Sequence, residues 1–141
     1  MRSGRPADLD AVGEIQSLAP DAAHWNPQDY LAYDFCVAVW QERVLGFLVA
    51  RRVAEGETEI LNLAVHPDFR RRGAGMALLK DFLLRNPGQA HLEIRDGNSN
   101  AFKFYKSMGF QEVAVRVEYY HNPPGNAIVM TLDSCYCHLR R

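Results

Sequence analysis

The chain has 141 residues, a formal net charge of −1 and three cysteines. That length suits one domain over residues 1–141, with a core over about 5–132 and a short tail over 133–141. The charge excludes a global basic field for nucleic acid, and no apolar run is long enough to span a membrane. An odd number of cysteines argues against a disulfide framework, so we expect a cytoplasmic protein.

The first half of the chain predicts two helices followed by antiparallel strands. Apolar residues recur at helical spacing over 5–18, and Asn26 caps a second predicted helix. The segments 35–40 and 44–53 are apolar and β-branched and are separated by a polar turn, which is typical of a hairpin. Residues 58–65 form a third predicted strand.

The second half begins with a change of hydrophobic period. Helical spacing starts at Gly73 and ends before the helix-breaking sequence at 86–88. A strand, a helix and two strands follow over 91–95, 98–109, 113–120 and 127–132. A strand, a helix and a strand with short connections predict a parallel βαβ unit. The whole order predicts an α/β domain, a mixed sheet of six or seven strands covered by about four helices.

The sequence RRRGAG, residues 70–75, opens a helix without a Ser, Thr, Asp or Asn cap. Free amides, a positive helix end and arginine side chains together favour an anion such as pyrophosphate. Gly73 and Gly75 lack side chains that would keep a ligand from the backbone. A solvated charged loop explains the hexad equally well. The P-loop pattern is absent, and a dinucleotide fingerprint lacks its third glycine at Leu78, although Glu93 has the spacing of its acidic residue.

Two further residues have side chains suited to proton transfer. Glu93 shares a strand face with His91 and Arg95, and desolvation between covered sheet faces would raise its affinity for a proton, as a general base requires. A glutamate paired with Arg95 or Arg51 on an open face is the alternative. Tyr105 lies in phase with the buried face of its helix. It is either a core tyrosine or a phenol in a cleft that could protonate a leaving group.

Taken together, R-x-x-G-x-G at a helix start, LEIR and N-x-x-x-x-x-x-Y-x-x-x-G-F resemble the GCN5-related N-acetyltransferases, the GNAT superfamily. The resemblance runs from about residue 5 to 132. The stretches LNLAVHPDFRRRGAG, LEIRDGNSNAFKFYKSMGF and EYYHNPPGNAIVM are most similar to the bacterial ribosomal-protein alanine acetyltransferase (RimI) branch. The family loop more often begins with Gln, where this chain has Arg70.

The resemblance implies acetyl-coenzyme A (acetyl-CoA) as acetyl donor and no metal. It also implies direct attack by a primary amine in a ternary complex, with the N-terminal α-amine of a protein, such as a ribosomal protein, as the expected acceptor. An α-amine has a pKa of about 8, so roughly a tenth is neutral near pH 7 and a modest base suffices.

The resemblance also implies roles for individual residues. Glu93 would be the general base, Tyr105 the general acid and a coenzyme contact, and Asn98 a contact to the pantetheine arm. The other expected coenzyme-binding residues lie on the third strand and in the loop after it: Leu63, Ala64, Val65, Arg70, Arg71, Arg72, Gly73, Ala74, Gly75 and Met76. Tyr119 and Tyr120 would border the acceptor entrance.

Two other functions fit parts of the sequence. A non-catalytic acyl-CoA sensor would bind coenzyme through the Arg70 loop and consume no acceptor, and an acetyltransferase for a small amine would have an acidic acceptor cleft. The cluster Cys135, Cys137 and His138 is too short to close a four-ligand metal site alone. Cys36, in an apolar strand, is predicted to be a core residue.

Overall fold

The computed structural model describes residues 1–19, 25–70, 72–121 and 124–133. Within these ranges the α-helices are α1 (Leu9–Leu18), α2 (Ala74–Arg85) and α3 (Ser99–Ser107). The strands are β1 (Arg2–Ser3), β2 (Asp34–Trp40), β3 (Arg43–Ala54), β4 (Glu57–Val65), β5 (Gln89–Arg95), β6 (Gln111–His121) and β7 (Pro124–Asp133). Short 3₁₀ segments occupy Pro6–Asp8, Pro27–Ala32 and Pro67–Phe69. The predicted α/β class is confirmed.

The seven strands form one mixed sheet in the order β1-β2-β3-β4-β5-β7-β6. Only β4 and β5 run parallel, and α2 connects them, which confirms the predicted βαβ unit. No helix in the described part of the chain is long and apolar enough to cross a membrane.

The second predicted helix is the six-residue 3₁₀ segment Pro27–Ala32 rather than an α-helix. Its predicted cap is present, because the Asn26 side chain accepts a hydrogen bond from the Gln28 N–H at 3.1 Å. The segment ends at Tyr33, whose backbone is already extended, and β2 begins at the next residue. The helix N-cap is therefore present, but β2 begins too soon after it for an α-helix to form.

Two hydrophobic clusters lie on opposite faces of the sheet, as the alternation of the strands requires. On one face, α2 and α3 pack over the sheet, with Phe82 and Leu92 in the cluster. On the other face, α1 packs over β2 to β4, with Ile15 and Phe47 in the cluster. That second cluster contains no residue of β5, β6 or β7, so among the described residues this half of the face is left uncovered.

The strands β4 and β5 pair only at their first three residues, from Glu57 with Gln89 to Glu59 with His91. Beyond these pairs the two strands separate. The separation begins beside a bulge in β4, where Asn62 pairs with Val49 but Ile60 pairs with the next residue of β3. A bulge bends the strand that contains it and increases its twist. A gap therefore opens between the carboxyl ends of two strands in the middle of the sheet.

Candidate active site

A cleft of about 600 Å³ lies at the gap between β4 and β5. The end of β4, the start of α2 and one face of α3 as far as Tyr105 form its walls. Ten of the predicted coenzyme-binding residues line it: Leu63, Ala64, Val65, Arg70, Gly73, Ala74, Gly75, Met76, Asn98 and Tyr105. The structure therefore brings together residues that lie as far as 42 positions apart in the chain, between Leu63 and Tyr105.

The cleft has further lining residues that the sequence motifs did not include: Ala19, Phe69, Asn100, Ala101 and Phe104. Ala101 precedes Tyr105 by four positions, so both lie on one face of α3. The helical period around the predicted tyrosine could therefore have identified Ala101. Ala19 is the residue that follows α1, far from the other lining residues in the sequence. No local sequence pattern connects it with this cleft.

The start of α2 faces the cleft without a side-chain cap. Its N-cap is Gly73, and none of the described side chains caps it. The Gly73 carbonyl accepts from the Ala77 N–H at 2.9 Å, but the first amides of a helix have no partner within the helix. The expected uncapped start is confirmed. It presents amide donors and the positive end of a twelve-residue helix to the cleft, and both favour an anion.

The two glycines of the loop are required for different reasons. Gly73 has φ 83° and ψ 5°, a left-handed conformation that side-chain-bearing residues rarely adopt. Gly75 is helical, and a Cβ there would meet Val65 and Phe104 at ordinary contact distances of 3.5 and 3.6 Å. The backbone thus explains the glycine at 73 but not the one at 75. The missing side chain at Gly75 would allow a ligand in the cleft to approach the helix start closely.

The three arginines of the loop do not share one environment. Arg70 is exposed and lines the cleft. Arg72 is not among the lining residues, and its guanidinium lies 5.7 Å from the centre of the Phe69 ring. Arg71 lies outside the described residues. Of the two described arginines, Arg70 is therefore the better placed to add a fixed positive charge beside the amides of α2.

Asn98 and Tyr105 approach the cleft from α3. The Asn98 side chain caps this helix, accepting from the Ala101 N–H at 3.1 Å. Tyr105 is 7% exposed and packs edge-on against Phe104 and Phe110. None of the described residues forms a hydrogen bond with its hydroxyl group. Burial raises the pKa of Tyr105, so the phenol stays protonated and available as a donor at neutral pH.

Glu93 lies on the other face of β5. Its neighbours Leu92 and Ile94 point into the cluster under α2 and α3, which contains Tyr105. Glu93 therefore points away from that cluster, and it is not among the residues that line the cleft. We expected both faces of the sheet to be covered at this strand. That expectation is wrong, because Glu93 lies on the half of the sheet that α1 does not cover.

Neighbouring side chains rather than a helix shelter Glu93. Its side chain is only 14% exposed, and its Oε1 accepts from Arg116 Nη1 at 2.5 Å. The expected alternatives, Arg95 and Arg51, are not the observed partner, and Arg51 pairs with Glu59 instead. The carboxylate of Glu93 is therefore sheltered from solvent and paired with a cation of its own chain.

The strand β6 contributes aromatic rings to the same surface. The Arg116 guanidinium lies 4.7 Å from the centre of the Tyr119 ring, and Tyr119 packs edge-on against Tyr120 at 5.1 Å. The Tyr120 ring in turn lies 4.2 Å from the Arg95 guanidinium. A hydrogen bond to Glu93, with partial burial, raises the pKa of Tyr119.

The cysteines supply no site in the described part of the chain. Cys36 is buried in the core, as predicted, and burial raises the pKa of its thiol to about 11. Cys135, Cys137 and His138 lie outside the described residues. Within the described ranges, no group of three His, Cys, Asp or Glu residues is arranged to hold a metal ion.

Comparison with known proteins assigns the family. The family model described as "Acetyltransferase (GNAT) domain" matches residues 32–112, more than half of the chain. The chain belongs to the GNAT acetyltransferases. It is 36% identical over 136 residues to the ribosomal protein bS18 alanine N-acetyltransferase of Salmonella typhimurium, covering 89% of this chain and 90% of that protein. The predicted family and branch resemblance are confirmed.

Two crystal structures of GNAT relatives have the same fold. The ribosomal-protein-S18-alanine N-acetyltransferase from Escherichia coli matches with a TM-score of 0.79 at 28% identity, over 93% of this chain and 90% of that one. Ard1 from Thermoplasma volcanium matches with a TM-score of 0.81 at 32% identity, over 93% and 94%. As a member of this family, the chain is an acetyl-CoA-dependent N-acetyltransferase.

Proposed function

We propose that this GNAT enzyme transfers the acetyl group of acetyl-CoA to the N-terminal α-amine of a protein, of the ribosomal-protein alanine type. The observation that carries the proposal is the gap between β4 and β5, with an uncapped helix start and Tyr105 on one side and Glu93 on the other. The relatives from Salmonella typhimurium and Escherichia coli, named for alanine acetylation of ribosomal protein bS18, support the choice of acceptor.

We expect the cleft to hold the pyrophosphate and the pantetheine arm of coenzyme A. The amides at the start of α2 and the Arg70 guanidinium would hold the pyrophosphate, with Arg71 and Arg72 adding charge or amides. The end of β4 from Leu63 to Val65 has no pairing with β5, so its backbone groups on that side would be available to the amide-bearing pantetheine arm, except the Leu63 N–H, which donates to Asn62 Oδ1 at 3.0 Å. The Asn98 side chain lies at the same wall.

Two residues of this chain would transfer protons. Glu93 would accept a proton from the α-ammonium, directly or through water, and the neutral amine would then attack the acetyl carbonyl. A backbone N–H near the end of β4 would stabilise the negative charge that develops on the carbonyl oxygen. As the carbon–sulfur bond breaks, Tyr105 would donate its phenolic proton to the departing sulfur. The second proton that the attacking nitrogen loses would restore the tyrosine through water, and Glu93 would release its proton to solvent. No acyl-enzyme would form.

The test measures release of the coenzyme A thiol with acetyl-CoA and peptides beginning with Ala, Ser, Gly or Met, with mass spectrometry of the product. We expect turnover on a free N-terminus, with the acetyl group on the α-amine, and none on the same peptide with a blocked N-terminus. Turnover on a polyamine but on no peptide would instead support a small-amine acetyltransferase. Coenzyme binding without turnover on any amine would support a sensor.

A further inference from the structure

The carboxylate of Glu93 is already paired with a cation of its own chain. Arg116 reaches it from β6, which is the last strand of the sheet formed by the described residues. The Arg116 side chain is 53% exposed, whereas that of Glu93 is 14% exposed. The sheltered partner is therefore the carboxylate, and the cation lies at the solvent side, where another cation could replace it.

The surroundings of the Arg116 guanidinium have the composition of a binding site for a cation. A carboxylate contacts the guanidinium on one side, and the Tyr119 ring lies against it at 4.7 Å. Tyr120 extends the aromatic surface toward Arg95. An anionic oxygen together with aromatic faces is the combination that recognises ammonium groups.

We propose that Arg116 occupies the binding site of the acceptor's N-terminal ammonium and that the acceptor displaces it from Glu93. The inference rests on the proposed function, because it takes a protein N-terminus as acceptor and Glu93 as its proton acceptor. The exchange replaces one cation by another, so the sheltered carboxylate is not left unpaired at any stage. Arg116 remains over the edge of the sheet, where water solvates its guanidinium.

The decisive variants are Arg116→Gln and Arg116→Lys. Removing a competing cation lowers the acceptor KM, and we expect Arg116→Gln to lower it by about fivefold, the change expected when one charge-assisted contact no longer competes. The Kd of acetyl-CoA is expected to stay near the wild-type value, because Arg116 does not line the cleft. Arg116→Lys keeps a cation in reach of Glu93 and should keep an acceptor KM close to that of the wild type.

The chain supplies a matched control on the same face of the sheet. Arg51 pairs with Glu59 at 2.7 Å, and the exposures of 51% and 17% are close to those of the Arg116–Glu93 pair. Arg51→Gln should leave the acceptor KM unchanged. A second readout without turnover is the Kd of an Ala-starting peptide for the coenzyme A-bound enzyme, which should also fall in Arg116→Gln only.

The outcomes separate this inference from the proposed function. If the wild type acetylates a peptide but Arg116→Gln raises KM or lowers kcat, Arg116 positions Glu93 and the displacement idea is wrong. An equal decrease of KM in Arg51→Gln would also overturn it, because the effect would then reflect general surface charge. If the wild type acetylates no peptide, the proposed function fails first, and the inference fails with it.

Discussion

Tyr105 and Glu93 lie on opposite sides of β5, and their surroundings differ in covering, charge and hydrogen bonding. Tyr105 lies on the buried face of α3 between aromatic rings, and none of the described residues bonds to its hydroxyl group. Glu93 lies on the half of the sheet that no described helix covers, in contact with Arg116 and next to Tyr119. One environment is apolar and closed, and the other is polar and open.

Under the proposed function, the two faces of one strand would present a proton donor and a proton acceptor. Burial in apolar surroundings raises the pKa of the Tyr105 phenol, whereas the Glu93 carboxylate is in contact with a guanidinium. Alternation along β5 separates the two environments by the thickness of the sheet. The gap between β4 and β5 is where groups on the two faces can reach one ligand.

Replacing Glu93 with Gln removes the proposed proton acceptor from the polar face, and we expect it to lower kcat more than any other variant described below. The amide keeps the shape of the side chain but accepts protons poorly, so kcat should fall by about 10²–10⁴-fold. The Kd of acetyl-CoA should not change, because Glu93 is not part of the cleft lining. Glu59→Gln is the control, since Glu59 is also paired with an arginine. Wild-type kcat in Glu93→Gln would show that another group accepts the proton.

Replacing Tyr105 with Phe removes the proposed proton donor from the apolar face. We expect kcat to fall by about 100-fold, near the lower end for general acids, because a thiolate of pKa about 8.5 leaves without full protonation. Thermal denaturation should show unchanged or slightly higher stability, since the hydroxyl group forms no hydrogen bond with a described residue. A large loss of stability with kcat unchanged would mean that Tyr105 is a core tyrosine only.

The sequence was most informative where the chemistry is local. The glycines and arginines at 70–75 predicted an uncapped helix start, and helical phase placed Tyr105 on the covered face of its helix. Alternation within the LEIR segment also assigned Glu93 to the opposite strand face. Each of these predictions needs only the period of one element and no knowledge of its neighbours.

The partner of Glu93 could not be predicted in this way. Arg116 reaches it only because β7 lies between β5 and β6, so that Arg116 and Arg95 both pair with Ala127. That order depends on long-range pairing, which no local pattern encodes. The same limit applies to the covering of the sheet, since the short α1 reaches β2 to β4 but leaves the face of β5 open. The prediction of two covered faces was wrong for this reason.

Replacing Gly75 with Ala tests whether acetyl-CoA approaches the start of α2 closely. Alanine is a better helix former than glycine by about 0.5–1 kcal/mol, and the added Cβ meets only ordinary contacts, so the free energy of unfolding should rise slightly. The same methyl group occupies space beside the helix start, and we expect the Kd of acetyl-CoA to rise by about tenfold, or 1.4 kcal/mol. Calorimetry with acetyl-CoA and thermal denaturation measure the two effects separately.

A contradiction would be an alanine variant that is more stable and binds acetyl-CoA as tightly as the wild type. The ligand would then not approach this part of the backbone. Gly73→Ala is unsuitable for the same purpose, because the left-handed conformation at 73 makes any side chain unfavourable and would confuse instability with lost binding.

Tyr30→Phe tests a buried tyrosine whose hydroxyl group, unlike that of Tyr105, is satisfied. The Tyr30 hydroxyl donates to Gln16 Oε1 and accepts from Asn62 Nδ2 at 3.1 Å, linking α1 to the bulged part of β4. Removing it leaves buried amide groups with fewer partners, so stability should fall by about 1 kcal/mol in denaturant titrations. kcat should stay within about twofold of the wild type, since this hydroxyl group lies on the α1 side of the sheet and does not line the cleft. If Tyr30→Phe lowered kcat as much as Tyr105→Phe, loss of a buried hydroxyl group would explain both results, and the assignment of Tyr105 as proton donor would lose its support.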